Sequence, residues 1–340
     1  MKSLILFAAF AAAALVAFAI FKPDTVKTFV HYMGERIHAS LFNYMGKQGM
    51  ILGATSITTQ MVVAWDTALR LEAQQKESRL MKTVNDRGSI TGASFTINNL
   101  GSVGEFDENV VRHGDTIWSE IDHSARSAAM RDFYKALPVD RADVPKLEAN
   151  PLSGGYMDSL MAMRNRKIDS IIYNAALGAI PSVDGLVSYT LPTAQKIAGG
   201  GTGLTKAKII QAKAIFRANE ADEESGEELY FLYNDVALQQ ILADTTLTSA
   251  DFMALQMLQA GTLKGKWMGF EWIPYQNLIK AGSVFSTAAY TKSAIHFGKG
   301  YEEGKVSIRA DKKDTTQTSM AASYGAGRQD DKKVVQIDFQ

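Results

Sequence analysis

The chain has 340 residues, 46% of them hydrophobic, which is enough apolar surface for two or three packed subdomains and too much for a wholly disordered protein. Its 36 basic residues balance 36 acidic ones, which argues against a dedicated nucleic-acid binder, since such proteins draw most of their affinity from a basic excess that neutralises phosphates. The absence of cysteine excludes disulfides, thiolate metal sites and cysteine nucleophiles, and leaves the redox compartment open.

Lys2 precedes an uncharged apolar run from Leu4 to Phe21, about 27 Å long as a helix and close to the thickness of a bilayer core. Ala17-Phe18-Ala19 adds a small-residue cleavage pattern, so the run reads either as an uncleaved anchor or as a secretory signal. After Pro23, the residues Val26, Val30, Met33, Ile37 and Leu41 keep helical spacing, as in an amphipathic arm. From Ile57 to Leu80, Val62, Val63, Trp65, Ala68, Leu69 and Leu71 predict a helix with a polar C-terminal end. Asn85-Asp86-Arg87-Gly88 is expected to turn the chain, and Ile90, Phe95 and Ile97 mark short strands among Gly92, Gly101 and Gly104. So polar and glycine-rich a segment cannot build its own core and must lie on something else. His123 to Ala136 is expected to be helical, carrying Arg126 and Arg131, and Pro138 to Asn150 an irregular surface stretch. Gly155 to Leu177 predicts the longest helix, roughly 35 Å, with Leu160, Ile168, Ile171, Ile172 and Ala175 buried and Gly178 and Pro181 as its stop.

The stretch Gly199–Leu278 reads as an α/β subdomain. Gly199, Gly200, Gly201 and Gly203 form a loop, and Thr205 caps a helix that buries Ile209, Ala212 and Phe216 and exposes Lys206, Lys213 and Arg217. The acidic run from Glu220 to Glu228 is a solvated connection, and Leu229-Tyr230-Phe231-Leu232-Tyr233 suits a strand covered on both faces. Asp235 is expected to cap a short helix with Leu238, Ile241 and Leu242. Thr248 and Asp251 have capping-box spacing ahead of a helix with Phe252, Leu255 and Leu258 that stops at Gly261. Met268, Phe270 and Trp272 then alternate with Gly269, Glu271 and Ile273 in a strand ended by Pro274.

This order of parts, with Met268-Gly269-Phe270-Glu271-Trp272-Ile273 and Leu278, resembles the axial domain of tailed-phage major capsid proteins of the Hong Kong 97 type. Gln74-Gln75-Lys76-Glu77-Ser78-Arg79-Leu80 leading into Gly88-Ser89-Ile90-Thr91-Gly92-Ala93-Ser94-Phe95 resembles the start of their extended β-hairpin loop. Gly304-Lys305-Val306-Ser307-Ile308-Arg309 and Asp330-Asp331-Lys332-Lys333-Val334-Val335-Gln336-Ile337 resemble the closing strands of their peripheral domain. The resemblance spans Thr55 to Gln340. It implies an α+β capsid fold divided into a hydrophobic segment (1–22), an amino-terminal arm (23–80), the extended β-hairpin loop (81–112), a peripheral domain with a spine helix (113–185), an axial domain (186–290) and peripheral closing strands (291–340). It also implies a structural function: self-assembly into hexamers and pentamers of an icosahedral shell enclosing double-stranded DNA without sequence-specific binding. Scaffold and portal proteins are the implied partners, and the virion, assembled in the host cytoplasm, is the implied location.

Residues 1–21 conflict with that location. Either translation starts at Met45 or Met50, or residues 1–50 are a scaffold-like or membrane-targeting extension, or the chain is an exported or membrane-anchored binding protein. On the capsid reading the mature virion chain is expected to lack residues 1–21, which otherwise offer membrane contact.

The candidate chemical sites have plainer readings. Gly203 is followed by Leu204-Thr205-Lys206 and lacks the Lys-Ser or Lys-Thr pair of a phosphate loop, so a hinge is favoured. The acids Glu220, Asp222, Glu223, Glu224, Glu227 and Glu228 lack a calcium-loop pattern. His31 and His38 lie seven apart, and His113, the adjacent His123-Ser124 and His296 form no metal or triad motif. Tyr230, Phe231, Tyr233, Phe270 and Trp272 sit among apolar neighbours and suit a core better than base stacking. Lys76, Arg79, Lys82 and Arg87 fit a solvated helix end and salt bridges to a neighbouring subunit equally well. No catalytic, cofactor-binding or metal residue is assigned, and a hydrolase lacks any convergent acid, base or nucleophile.

Overall fold

The computed structural model describes residues 74–340 apart from 106–107, 109–111, 116–117, 144–154, 244–262 and 264, all within the unit 68–145 and 149–340. The apolar run, the amphipathic arm, the helix expected to begin at Ile57 as far as residue 73, and the helix expected after Asp251 lie outside these residues. No described helix is long and apolar enough to cross a membrane.

In chain order come β1 (Asn85–Ser89), β2 (Ser94–Leu100), β3 (His123–Ala129), β4 (Arg131–Val139), α1 (Gly155–Leu177), β5 (Ile180–Pro181), β6 (Ser188–Tyr189) and β7 (Lys196–Ile197). They are followed by α2 (Lys206–Ala218), β8 (Leu229–Tyr233), α3 (Asp235–Ala243), β9 (Lys266–Trp267), β10 (Phe270–Pro274), β11 (Ile279–Ala281), β12 (Val284–Thr291), β13 (Ile295–Arg309), β14 (Thr315–Arg328) and β15 (Val334–Phe339). A four-stranded sheet runs β1-β13-β14-β4, and a larger one runs β7-β15-β12-β8-β10-β9 with β11 added to β12. Strands β2 and β3 form a separate antiparallel ribbon, and β5 and β6 a short hairpin.

One apolar core joins the two large sheets, running from Ile172 and Tyr173 of α1 through Phe231 and Tyr290 to Phe297 and Tyr324. All five residues of β8 are buried, because it lies between β10 on one edge and β12 on the other under cover on both faces. Phe231 stacks on Trp272 at 4.3 Å, and Phe216 of α2 meets Phe270 at 5.9 Å, so the alternation in β10 and the helical stripe of α2 converge on one site. Helix α1 has the bounds the sequence predicts and buries Leu160, Ile168, Ile172 and Ala175. Its N-terminal half lies over the four-stranded sheet, with Lys167 above the Phe133 ring at 4.7 Å. Its C-terminal half reaches the larger sheet, where Tyr173 donates to the Ser286 carbonyl at 2.5 Å. Burial pushes the Tyr173 hydroxyl up to about 12.

Several local expectations fail. His123–Ala136 is not helical but forms β3 and most of β4, because its alanines serve close approach rather than helix propensity. Ala128 lies against Gly327, where an added Cβ would stand 2.9 Å from the Ala128 Cβ. Asn85–Gly88 does not turn the chain: it lies in β1, parallel to β13, and the glycine with φ +70° falls where the register shifts. Residues 74–80 are not helical, since their polar groups bind α1 instead of their own backbone. Pro138 and Val139 belong to β4, and Val139 is fully buried. Asn234, not Asp235, caps α3, accepting from the Ala237 amide at 2.9 Å, and Asp235 instead accepts from Gln276. Thr205 holds the cap position of α2 but makes no side-chain cap bond. Met268 is not in the strand: with φ +51° beside Gly269 at φ +82°, it forms the two-residue turn between β9 and β10. The two expected closing strands part company. Gly304–Arg309 lies in β13 of the four-stranded sheet, whereas Val334–Phe339 hydrogen-bonds to β12 and β7 of the larger one.

Candidate assembly surfaces

Two buried polar knots hold the projecting parts of the molecule in place. In the first, Asp169 of α1, fully buried, accepts from Gln75, from Ser78 Oγ at 2.6 Å, and from the amides of Arg79 and Leu80 at 3.2 and 3.1 Å. Asn165, one turn earlier, donates to the Lys76 carbonyl at 2.5 Å. The segment entering from residue 74 is thus fixed to α1 by its backbone. The sequence signal was two polar residues, Asn165 and Asp169, spaced by four on the apolar stripe of a helix.

The second knot joins α1, β3, β6 and β14. Arg328, fully buried, donates to the carbonyls of Ala176 and Gly178 at 2.7 and 2.8 Å, closing the C-terminal end of α1 where a cation is favoured. Its Nε donates to Asp331 at 2.6 Å. Asp331 also receives both terminal nitrogens of Arg126, at 2.9 and 2.8 Å, and Arg126 lies 4.4 Å above the Tyr189 ring. Burial works to raise the Asp331 carboxyl, but the Arg126 hydrogen bonds and the Arg328 charge outweigh it and hold it below the usual range. Burial pulls the Arg328 guanidinium down from its ordinary value.

The residues singled out in the sequence fall into place without making a reactive centre. Carbonyls of the 199–203 loop, those of Gly199, Thr202 and Gly203, turn inward with that of Asp338 and accept from Lys208 Nζ at 2.8 to 3.0 Å. A phosphate loop presents amide donors; this one presents acceptors to the protein's own ammonium. The acidic run is mostly exposed, but Asp222 is buried, and five of its acids are paired: Asp222 and Glu224 with Arg217, Glu223 with Lys213, Glu227 with Lys333, and Glu228 with Lys292. His113 and His123 are exposed, and His296 is buried, receiving Arg87 Nε on Nδ1 at 3.1 Å with Gln329 2.9 Å from its Nε2. His31 and His38 lie outside the described residues. No group of carboxylates and histidines suited to a metal occurs among the described residues. The five aromatics all pack in the core. Of the four basic residues, Arg79 binds the Pro274 carbonyl and Arg87 binds His296, while Lys76 and Lys82 are exposed.

Apolar surface is concentrated on the projecting ribbons. At the far end of the β2–β3 ribbon Trp118 is 88% exposed, with Leu100 and Val103 nearby in sequence. The β5–β6 hairpin exposes Val183, Leu186 and Val187, and the β13–β14 hairpin, which projects beyond β1, exposes Val306 and Ile308. Between β4 and α1 lies an apolar groove of 180 Å³ lined by Phe133, Met163, Met320 and Tyr324 and rimmed by Lys135 and Lys167. These features suit contact with other protein surfaces rather than turnover of a small substrate.

The sequence profile of a family described as phage capsid protein matches residues 57–340. No curated protein matches the sequence. Among solved structures, the cyanophage Pam1 capsid asymmetric unit superposes with a TM-score of 0.60 at 13% identity, covering 81% of this chain and 95% of that one. The capsid of Ralstonia phage GP4 gives 0.59 at 11% identity, covering 81% and 94%, and a chain from Mycobacterium phage Che8 gives 0.59 at 14%, covering 80% and 95%.

Proposed function

The chain belongs to the phage capsid protein family, and from that premise we propose that it is the major subunit of an icosahedral shell of the Hong Kong 97 type around double-stranded DNA. On this reading the larger sheet with α2 and α3 is the axial domain, β15 included, and α1 with the four-stranded sheet is the peripheral domain with its spine. The β2–β3 ribbon is the extended loop, reaching from the body to rest on a neighbouring subunit, and residues 23–80 are the amino-terminal arm, its end bound to α1 through Asp169. Hexamers and pentamers need heterologous contacts that close into rings. A neutral chain suits a wall that encloses DNA without gripping it. Scaffold and portal proteins are its expected partners, and residues 1–21 are the part suited to membrane contact.

The observation that carries this reading is where the polar and apolar groups are spent. The buried charges described above tie one structural element to another, and most of the exposed large apolar residues lie on the ribbons and hairpins. A shell subunit needs that distribution. The test is sedimentation of the full chain expressed with its scaffold: megadalton particles or rings are expected, and a small species under every assembly condition would refute the reading.

A further inference from the structure

Strand β13 is paired on both sides only over its first part. β1 pairs with His296, Phe297 and Lys299, and Ile90 donates to the Lys299 carbonyl at 2.8 Å, after which the chain leaves for β2. Over residues 302–309, β13 keeps an unbroken register with β14 on one side and has no strand on the other among the described residues. Such an edge presents unpaired N–H and C=O groups that a further strand can take up. Neither a proline nor a bulge interrupts it, since the register shift between Lys299 and Glu302 comes before the free stretch.

The two faces of this stretch differ. A Cβ on Gly304 would stand 3.3 Å from the Met157 side chain of α1, so Glu302, Gly304, Val306 and Ile308 share the face toward that helix. Past Gly304 the face is open: Val306 is 44% and Ile308 70% exposed. The opposite face carries Glu303, Lys305, Ser307 and Arg309. Arg309 pairs with Asp311 two residues on, and Glu303 has no ion pair among the described residues.

These side chains select one register for pairing with a second copy. A two-fold axis normal to the sheet sets each residue opposite one on the same face, so the axis passes through a residue. Centred on Glu302, Glu303 or Lys305 it opposes like charges, and centred on Ser307 it opposes Lys305 to Arg309. Centred on Gly304 it brings Arg309 to Lys299, a like charge, on the part of the edge that β1 already holds. Centres beyond Ser307 run into the turn after Arg309. Centred on Val306, it sets Val306 against its own copy and Ile308 against Gly304, which has no side chain to obstruct it. The same register sets Glu303 against Arg309 twice. Four aliphatic side chains then form one apolar strip on the α1 face, and two ion pairs bracket the joint on the other.

We propose that residues 303–309 of β13 pair antiparallel with the same residues of a second copy, about a two-fold axis at Val306, joining two four-stranded sheets into one. This rests on the shell reading and adds to it a joint between capsomers. Heterologous contacts close each ring, but rings meet at the two-fold axes of an icosahedral shell through a self-complementary patch.

The chain has no cysteine, so a single introduced thiol reports the axis. Full-length Val306→Cys, assembled and then oxidised, is expected to give disulfide-linked dimers, because the two copies of this residue face each other. Full-length Ile308→Cys is expected to give none, since its copies lie four residues apart along the strands, about 13 Å. Glu303→Cys mixed with Arg309→Cys should give dimers that neither gives alone. Independently, Glu303→Arg is expected to lower particle yield about tenfold by setting arginine against arginine twice, and Arg309→Glu in the same chain to restore it. Four results would overturn the edge pairing and leave the shell reading standing, provided that the wild-type chain assembles: no dimer from Val306→Cys, equal dimerisation of Ile308→Cys, linkage of the thiol at 306 only to a different protein, or wild-type yield from Glu303→Arg. If the wild-type chain assembles under no condition, alone or with a scaffold, the shell reading falls and the pairing falls with it.

Discussion

Arg328 donates through Nε to the carboxylate of Asp331 at 2.6 Å while its Nη1 closes the end of α1, so one fully buried guanidinium links the last turn of a helix to the strand β14 that carries it. Arg126 shares the same carboxylate from β3. Removing Asp331 leaves two buried cations facing each other without a counter-charge. Asp331→Ala is expected to cost about 3–5 kcal/mol, read as a lower urea midpoint, and an unchanged midpoint would show that the knot is not structural.

Acid should loosen the same region in two stages. Burial holds the His296 imidazole below its ordinary 6.5, and Arg87 donates to its Nδ1, which must therefore be unprotonated. With the folded value depressed, the unfolded chain binds more protons, so this contribution is full above 6.5 and is lost as pH falls through the lower folded value. The carboxyls of Asp331 and Glu227 are also depressed, against the pull of burial, by their cationic and hydrogen-bonding partners, and their contribution is lost further down, below the ordinary carboxylate range. Thermal unfolding from pH 8 to 3 should show a falling midpoint, and His296→Gln should flatten the upper part of that fall. A midpoint that rises on acidification would contradict the assignment.

Phe231 is fully buried in the middle of β8 and stacks on Trp272. Phe231→Asp places an unpaired charge between two covered sheet faces and is expected to cost several kcal/mol, enough to unfold the larger sheet. Circular dichroism melting at the wild-type temperature would show that the strand tolerates solvent.

Gly327 lets the β2–β3 ribbon lie directly on β14. A Cβ there would stand 2.7 Å from Ile97 Cδ1 and 2.9 Å from Ala128 Cβ. Gly327→Val should cost about 1–3 kcal/mol and, more tellingly, should raise amide exchange in residues 94–100 and 123–129 while β8 stays protected. Equal protection in both would mean that the ribbon is not held by this contact.

The sequence carried the parts whose burial is periodic and local. Helix α1, the buried stripe of α2, the five-residue β8 and the Phe270/Trp272 alternation were legible because each places its apolar residues at the spacing its geometry demands. The second strand of the ribbon, β3, and β4 were not, because Ala125, Ala128 and Ala129 favour a helix in isolation and become strand only through the glycines of β14, about 200 residues later in the chain. β1 was missed for a related reason: Asn85-Asp86-Arg87-Gly88 has turn composition, and only the partner strand β13 makes it extended. The knots were hidden for a different reason. Asn165 and Asp169 on the apolar stripe of α1 signal buried polar groups, but their partners at residues 75–80, and those of Arg328 at residues 175–178, are brought to them only by the fold. That the acidic run is ion-paired could be guessed from its charge; that its cations come from α2 and from Lys292 and Lys333 could not.

The central claim is that this subunit closes on copies of itself, and electron microscopy of the full chain assembled alone or with a scaffold tests it most directly. The account predicts closed icosahedral particles in which the larger sheets surround the fivefold and sixfold axes and the β2–β3 ribbon of each subunit lies on its neighbour. Monomers or small oligomers under every assembly condition, or particles whose subunit density does not accept this fold, would contradict it.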